Sequence, residues 1–359
     1  ADVDDKEVWY SEGCATFGYS ELQENKTTEY GAGTIGGYQS PLALLDSLPN
    51  AFVGSRRTMY MFQPAIGSFY EGIQYGHKEL LSARDPWSGY IHYDPVLYML
   101  SHITKFAKTG WENDTNTNGI WRVLPNATYG SFGSSDNEHQ TAGINGDASY
   151  MTLAAPDKTN FSTVFINNTQ NEKTFAIKTS DLKLSVDALH IWTTVTDDYL
   201  KQGEDVKIED GVAYVTVPAY SVVTATTLDT TPERFPTEDG SGDYIQTEKR
   251  TVLDTDYTGK NQNTTDDYLY ADNFEYTNEE DVTVYNATTG KETTENYLVS
   301  RGNEPRYMLD THGAWIVENG QLKQENASSV NQWNGGDPAT IVGDWRWMDY
   351  SASIDVTLP

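Results

Sequence analysis

The sequence predicts a multidomain chain in which one α/β segment is followed by two β-rich segments. Three observations carry that expectation. Strand and helix signals alternate up to about Gly110. From Trp111 to about Asp229 helical periodicity gives way to short strand-like runs separated by turn residues. Past a stretch rich in Thr, Asp, Gly, Lys and Gln, from Thr230 to about Asp267, strand patterns resume at Tyr268.

In the first segment Glu7-Val8-Trp9-Tyr10-Ser11 reads as a short buried strand, and Glu12-Gly13 follows at once. A Gly-rich polar loop runs from Tyr19 to Ser40. Pro41–Leu48 carries a helix start, with Ser40 as N-cap and Pro41 at the first position. Thr58–Phe62 reads as a second buried strand. Pro95–Lys108 reads as an amphipathic helix with Asp94 as its cap. Strand, helix, strand, helix implies parallel strands.

In the second segment the runs Ser149–Leu153, Thr163–Asn167, Thr174–Lys178, Leu182–Val186, His190–Val195, Gly211–Val217 and Tyr220–Thr226 suggest an antiparallel sandwich. In the third, Asn319-Gly320 stands between Ala314–Val317 and Gln321–Gln324, a hairpin signal. The closing run Ser351–Pro359 also reads as a strand. Two strand–helix units cannot close a barrel or a doubly wound sheet without long apolar edges. Both ends of the chain therefore read as cut through domains, and the start at Ala1, without Met or signal peptide, as a mature product or a fragment.

Composition narrows the function. Lys+Arg total 24 against 53 Asp+Glu, a net charge of −29. Nucleic acid and anionic membrane surfaces are poor partners for such a chain, whereas a neutral sugar suits it. Nine Trp and 24 Tyr supply apolar area for a folded, β-rich, carbohydrate-facing protein. No apolar run approaches the about 18 residues of a membrane span. Cys14 is the single cysteine, so no disulfide forms within the chain. Asn-x-Ser/Thr sequons at Asn25, Asn113, Asn126, Asn160, Asn167, Asn263, Asn286 and Asn326 argue for export into a glycosylating pathway, although an Asn- and Thr-rich chain also makes such triplets by accident.

Several residues could carry chemistry. Glu12 directly follows a strand and precedes Gly13, which is where a barrel enzyme places a catalytic carboxylate. Trp9 and Tyr10 offer aromatic surroundings that stack on sugars and desolvate a carboxyl. A solvated loop glutamate remains the bland alternative. Tyr75 and the run Arg84-Asp85-Pro86-Trp87-Ser88-Gly89-Tyr90 come next. Trp87, flanked by Pro and Gly, suits a rigid sugar-stacking wall or a plug against the core. Asp272-Asn273-Phe274-Glu275 offers oxygen ligands acceptable to Ca²⁺ and equally reads as an acidic strand end. The six His show no paired metal spacing, and nucleophilic triads and phosphate-binding loops are absent.

Taken in order, these residues resemble the galactocerebrosidase family, glycoside hydrolase family 59. The resemblance rests on Val8-Trp9-Tyr10-Ser11-Glu12, Tyr70-Glu71-Gly72-Ile73-Gln74-Tyr75-Gly76, Asp85-Pro86-Trp87-Ser88-Gly89 and the following segment to Gly110-Trp111. It continues through Val217-Pro218-Ala219-Tyr220-Ser221, Asp272-Asn273-Phe274-Glu275-Tyr276 and Gly343-Asp344-Trp345-Arg346-Trp347 with Ile354-Asp355-Val356. It implies a multidomain α/β plus all-β fold. Residues 1–110 would be the C-terminal part of a (β/α)8 TIM barrel, 111–229 a β-sandwich, 230–267 a linker and 268–359 the start of a lectin-like jelly-roll β-sandwich.

The resemblance further implies retaining hydrolysis of a terminal β-galactoside on a glycan or glycolipid, in a secreted or lysosomal glycoprotein. Glu12 would be the nucleophile, oriented by Tyr75. The acid/base Glu would lie on a complementary N-terminal barrel segment that this chain does not contain. Gln63 stands where the family has a substrate-facing Trp, and Trp87 would line the substrate. Catalysis would need no cofactor. Asn273 and Glu275 would correspond to ligands of a structural Ca²⁺ in the lectin-like domain. The sequence departs from the family at Ala15, where a serine is expected, at Gln63, in the absence of a sandwich arginine between Phe165 and Lys178, and in the missing second Cys. Those departures keep open a second expectation, a non-catalytic secreted glycan-binding or surface structural glycoprotein derived from this fold.

Overall fold

The computed structural model describes residues 6–14, 35–36, 40–63, 65–67, 80–82, 92–107, 121–131, 147–228, 270–274, 282–286, 289–295, 302–305, 308–325, 337–342 and 349–358. The chain divides into two compact units. One comprises Ala1–Phe69, Tyr75–Ala83 and Ile91–Thr247; the other comprises Tyr70–Gln74, Arg84–Tyr90 and Glu248–Pro359.

In the first unit β1 (Val8–Cys14) is followed by α1 (Pro41–Pro49), β2 (Arg57–Gln63), β3 (Ile66–Gly67), β4 (Leu81–Ser82), β5 (His92–Tyr93) and α2 (Pro95–Thr104). Strands β1 and β2 pair in parallel, as the strand–helix alternation predicts. β3 lies parallel to β4, and β4 antiparallel to β5. In α1 the Ser40 hydroxyl accepts the Ala43 N–H at 3.1 Å, and Pro41 gives up no hydrogen bond at the first position. Leu42, Leu45 and Leu48 recur every third residue and are all buried. α2 ends at Thr104, short of the expected Lys108. The chain leaves the helix there and delivers Phe106 to the sheet: its ring is fully buried and its carbonyl accepts the Ser162 hydroxyl at 2.6 Å.

The expectation that both strands are buried does not hold. Trp9 is 57% and Met61 43% exposed. Among the described residues the two strands pair only with each other, and no described layer covers the face that carries these side chains.

The sandwich follows as β6 (Arg122–Val123), β7 (Ser149–Ala154), β8 (Phe161–Asn167), β9 (Lys173–Lys178), β10 (Ala188–Val195), β11 (Asp198–Gln202), β12 (Val206–Lys207), β13 (Val212–Val217) and β14 (Ser221–Thr226). The large sheet runs β11-β10-β14-β8-β7-β6, with β12 on β10; β9 and β13 form a second, two-stranded sheet. Alternation sorts the side chains of the large sheet. Phe161, Phe165, Ile191, Val223 and Ala225 pack with Val215 and Val217 between the two sheets. Val164, Ile166 and Val222 point the other way, onto Leu42, Leu45 and Met99 of the helices. Both helices thus lie on the outer face of the sandwich sheet, and no division between units falls near Gly110. Each fully buried Phe or Ile contributes about 1.5–3 kcal/mol.

Leu182–Val186, expected to be a strand, is irregular. Leu182 and Leu184 still pack against the inter-sheet core, so the apolar alternation there reflects burial without a ladder.

The helix–sheet contact contains polar groups. His102 of α2 is fully buried; its Nδ1 lies 2.8 Å from the Thr224 hydroxyl and its Nε2 2.7 Å from that of Thr194. Burial lowers its pKa to about 3, so the ring is neutral. Asp46 of α1 is also buried. Neither carboxyl oxygen makes a hydrogen bond. The hydroxyls of Ser131 and Ser149 are near enough to counter its desolvation in part, but they bond to one another at 3.1 Å. Desolvation dominates and lifts Asp46 to about 7. A glycine is required at Gly36, because a Cβ there would meet the Tyr220 ring at 2.1 Å.

The second unit contains β15 (Val282–Asn286), β16 (Lys291–Glu295), β17 (Met308–His312), β18 (Trp315–Glu318), β19 (Gln321–Gln324) and β20 (Ala339–Val342). They form the antiparallel pairs β15–β16, β17–β20 and β18–β19. The predicted hairpin is present. Asn319 and Gly320 have φ of 54° and 71°, the two left-handed residues of a type I′ turn. Residues 351–358 do not form the expected strand. A strand needs a ladder, and no described residue supplies one to this segment.

Candidate active site

Parallel pairing fixes which residues share an end of the β1–β2 ribbon. Val8 pairs with Arg57 at one end, and Cys14 with Gln63 at the other. Glu12 therefore lies near the carboxyl end of β1, beside the carboxyl end of β2, which carries Gln63. That is the end at which open α/β sheets and α/β barrels hold their active sites. The sequence singled out these two residues separately; the backbone brings them to one end.

The register is irregular at the candidate nucleophile. Tyr10 pairs with Tyr60 and Gly13 with Phe62, so three steps along β1 match two along β2. The extra residue falls at Ser11-Glu12. A bulge re-aims the backbone locally, and bulges gather beside active sites.

Below this point the ribbon is aromatic. The rings of Tyr10 and Tyr60 stack at 4.4 Å, and those of Tyr60 and Phe62 lie 4.7 Å apart. The Arg57 guanidinium sits 4.5 Å from the Tyr10 ring centroid. Desolvation, reinforced by Tyr10, pushes the Tyr60 phenol up to about 12, so it stays an O–H. Trp9, on the exposed face, donates its indole N–H to Glu7 at 2.9 Å. Because Arg57 starts β2, it braces the aromatic stack at the end opposite Glu12. The sequence offered no way to find the Tyr10–Tyr60–Arg57 cluster, since it arises from strand register across more than 40 residues of chain.

Tyr75 and Trp87 lie outside the described residues. Glu275 does too, as do Asn25, Asn113, Asn263 and Asn326. Asn273 is exposed. Its neighbour Asp272 is engaged locally: Oδ1 accepts the Phe274 N–H at 2.7 Å and Oδ2 the Tyr270 hydroxyl at 2.8 Å. Among the described residues no three His, Cys, Asp or Glu come together as a metal site. Asp272 thus caps a local turn within the segment 270–274.

The sequons separate by burial. Asn126 is exposed and Asn160 half-buried. For Asn286 the structure describes the backbone, within β15. Asn167, by contrast, is fully buried. Its amide nitrogen donates to the carbonyls of Asn171 (2.9 Å), Val217 (3.2 Å) and Pro218 (2.7 Å), while its Oδ1 accepts from the Thr169 hydroxyl at 2.7 Å. Asn167-Asn168-Thr169 is used up in the turn between β8 and β9, which leaves no amide nitrogen for a glycan in the folded domain.

Among the described residues no helix is long and apolar enough to cross a membrane.

The family model described as Glycosyl hydrolase family 59 matches residues 1–105. Among curated relatives, galactocerebrosidase of Danio rerio is 32% identical over 60 residues, 17% of this chain and 9% of that protein. Galactocerebrosidase of Canis lupus familiaris is 26% identical over 106 residues, 30% of this chain and 13% of that protein. That of Salmo salar is 24% identical over 178 residues, 46% of this chain and 24% of that protein. The chain therefore covers less than a quarter of the length of each of these relatives. Among solved structures, a glycoside hydrolase family 30 subfamily 8 xylanase from Clostridium acetobutylicum aligns with a TM-score of 0.38 at 11% identity, over 62% of this chain and 42% of that one. A family 51 arabinofuranosidase from Xanthomonas axonopodis pv. citri aligns with a TM-score of 0.36 at 9% identity, over 61% and 41% respectively.

Proposed function

We propose that this chain, a member of glycosyl hydrolase family 59 through its residues 1–105, contributes the nucleophile half of a retaining β-galactosidase acting on a glycan or glycolipid. The observation that carries the reading is Glu12, set on a register irregularity at the carboxyl end of a parallel strand within the matched segment. The names of the relatives support galactose as the sugar.

In this mechanism one carboxylate oxygen of Glu12 attacks the anomeric carbon as the bond to the leaving oxygen breaks. A carboxylic acid on a barrel segment outside these 359 residues gives its proton to that oxygen. The same group, now a carboxylate, takes a proton from water. That water attacks the anomeric carbon and releases Glu12. The two carboxyls stand about 5–5.5 Å apart in such enzymes. Tyr75 donates a hydrogen bond that holds Glu12 ionised and aimed. Gln63 and Trp87 line the sugar. Residues 1–110 then belong to the barrel, 111–229 to the sandwich and 268–359 to a lectin-like module, in a secreted or lysosomal protein.

The test is Glu12→Gln in the complete protein, assayed on an aryl β-galactoside. Turnover falls by about 10³-fold or more while the near-UV circular dichroism is unchanged. Activity within a few-fold of the parent would remove Glu12 from the site. Faster turnover of the matching aryl β-glucoside would overturn galactose while keeping the nucleophile.

A further inference from the structure

The sandwich carries a cleft that the proposed active site does not use. Its volume is ≈ 230 Å³, and it is lined by Tyr129, Asp147, Tyr150, Lys173, Thr174 and Phe175. It lies where β7 of the large sheet meets the start of β9 of the small one. Tyr129 is held beside Tyr150 by a pair of backbone hydrogen bonds, Tyr129 N–H to Tyr150 O at 2.8 Å and the reverse at 2.9 Å. The Tyr150 ring meets Phe175 edge-on at 5.7 Å, and Phe175 stacks on the buried Phe165 at 4.7 Å. The aromatic wall is therefore continuous with the core and fixed before any ligand arrives.

Tyr129 is 40% exposed, with its hydroxyl 3.5 Å from the Asp147 carboxylate. The rim thus combines a carboxylate, an ammonium and a hydroxyl around an aromatic face. That combination suits a ligand with one C–H-rich face and a periphery of hydroxyls. The ring's negative π face attracts polarised C–H groups, while Asp147 accepts from hydroxyls and Lys173 donates to them. A cavity smaller than the about 300–1,000 Å³ of usual ligand pockets has room for one ring rather than an oligosaccharide. The net charge of −29 disfavours an anionic ligand.

We propose that this cleft is a second saccharide subsite, which takes a single neutral hexopyranosyl unit on the Tyr129 face with its hydroxyls on Asp147 and Lys173. The inference goes beyond the glycosidase reading and does not depend on it, because none of these residues belongs to the β1–β2 ribbon. The site would hold a glycan next to the protein without cleaving it.

The test uses the complete protein carrying Glu12→Gln, titrated with methyl β-galactopyranoside and methyl β-glucopyranoside by ligand-observed NMR. Saturable binding of at least one is expected. Tyr129→Ala should weaken it about tenfold, and Asp147→Asn should weaken it measurably. Tyr129→Phe, which keeps the ring, should stay within about threefold. Tyr129 and Asp147 are exposed, so these changes leave folding intact, which thermal melts verify. Absence of saturable binding to either glycoside would overturn the proposal. Binding that is indifferent to both Tyr129→Ala and Asp147→Asn would overturn it as well, and would assign the sugar to the other site. Glu12 is tested by turnover and this cleft by binding, so failure here leaves the nucleophile assignment untouched.

Discussion

Asn167 shows how one side chain can satisfy a whole turn. Five polar atoms of the β8–β9 turn and the β13–β14 connection depend on its amide. Expressed through a glycosylating secretory pathway, the chain should carry glycan at the exposed Asn126 and none at Asn167. Asn126→Gln should shift electrophoretic mobility by one glycan. Asn167→Ala should leave mobility unchanged but lower stability by about 3 kcal/mol in denaturant melts, because several buried carbonyls lose their donor. A mobility shift in the Asn167 variant would contradict the burial. The sequon rule reads three letters; it cannot see that a Thr two positions on closes an Asx turn. At Glu12, by contrast, the sequence shows a carboxylate close to the end of a strand, but it shows neither that β1 runs on to Cys14 nor the bulge at Ser11-Glu12.

At the scale of elements, the two helices bring opposite pH dependences into the same helix–sheet contact. Asp46 rises from 3.8 to about 7 in the folded chain. The native state therefore holds a proton that the unfolded state has lost, and the stability present at low pH is lost as pH rises through about 7. His102 falls from 6.5 to about 3. Here the unfolded state holds the extra proton, and stability is lost as pH falls below 6.5. Between 3.8 and 6.5 the two slopes oppose each other. Asp46→Asn should therefore gain stability relative to the parent as pH rises through that window, by about 3–4 kcal/mol across it. His102→Gln should gain relative to the parent as pH falls through it. Thermal melts at pH 4, 5, 6 and 7 read both. Parallel pH profiles for parent and variants would contradict the burial of these groups.

The elements themselves were unevenly legible. The start of α1 was readable because capping is local, Ser40 acting on Ala43. So was the Asn319-Gly320 turn, which depends on two residues alone. The sandwich strands followed from alternation. β11 was missed, since Asp198-Tyr199-Leu200-Lys201-Gln202 is polar and gets its strand from pairing with β10. Leu182–Val186 was misread because its leucines enter the core from an irregular segment.

For the whole molecule, a net charge of −29 disfavours nucleic acid and anionic membrane surfaces as partners. The helices join the α/β segment to the sandwich sheet through three buried hydrophobic clusters, and Tyr60 and Phe62 of β2 pack against one of them. The central claim is that the ribbon's carboxyl end holds the nucleophile of a β-galactosidase. The most direct measurement is to incubate the native protein with a 2-deoxy-2-fluoro-β-galactosyl donor and map its peptides by mass spectrometry. The account predicts a fluorogalactosyl adduct on the peptide that bears Glu12, with inactivation in step with labelling. Labelling at another carboxylate, or inactivation by neither this donor nor its gluco counterpart, would contradict it.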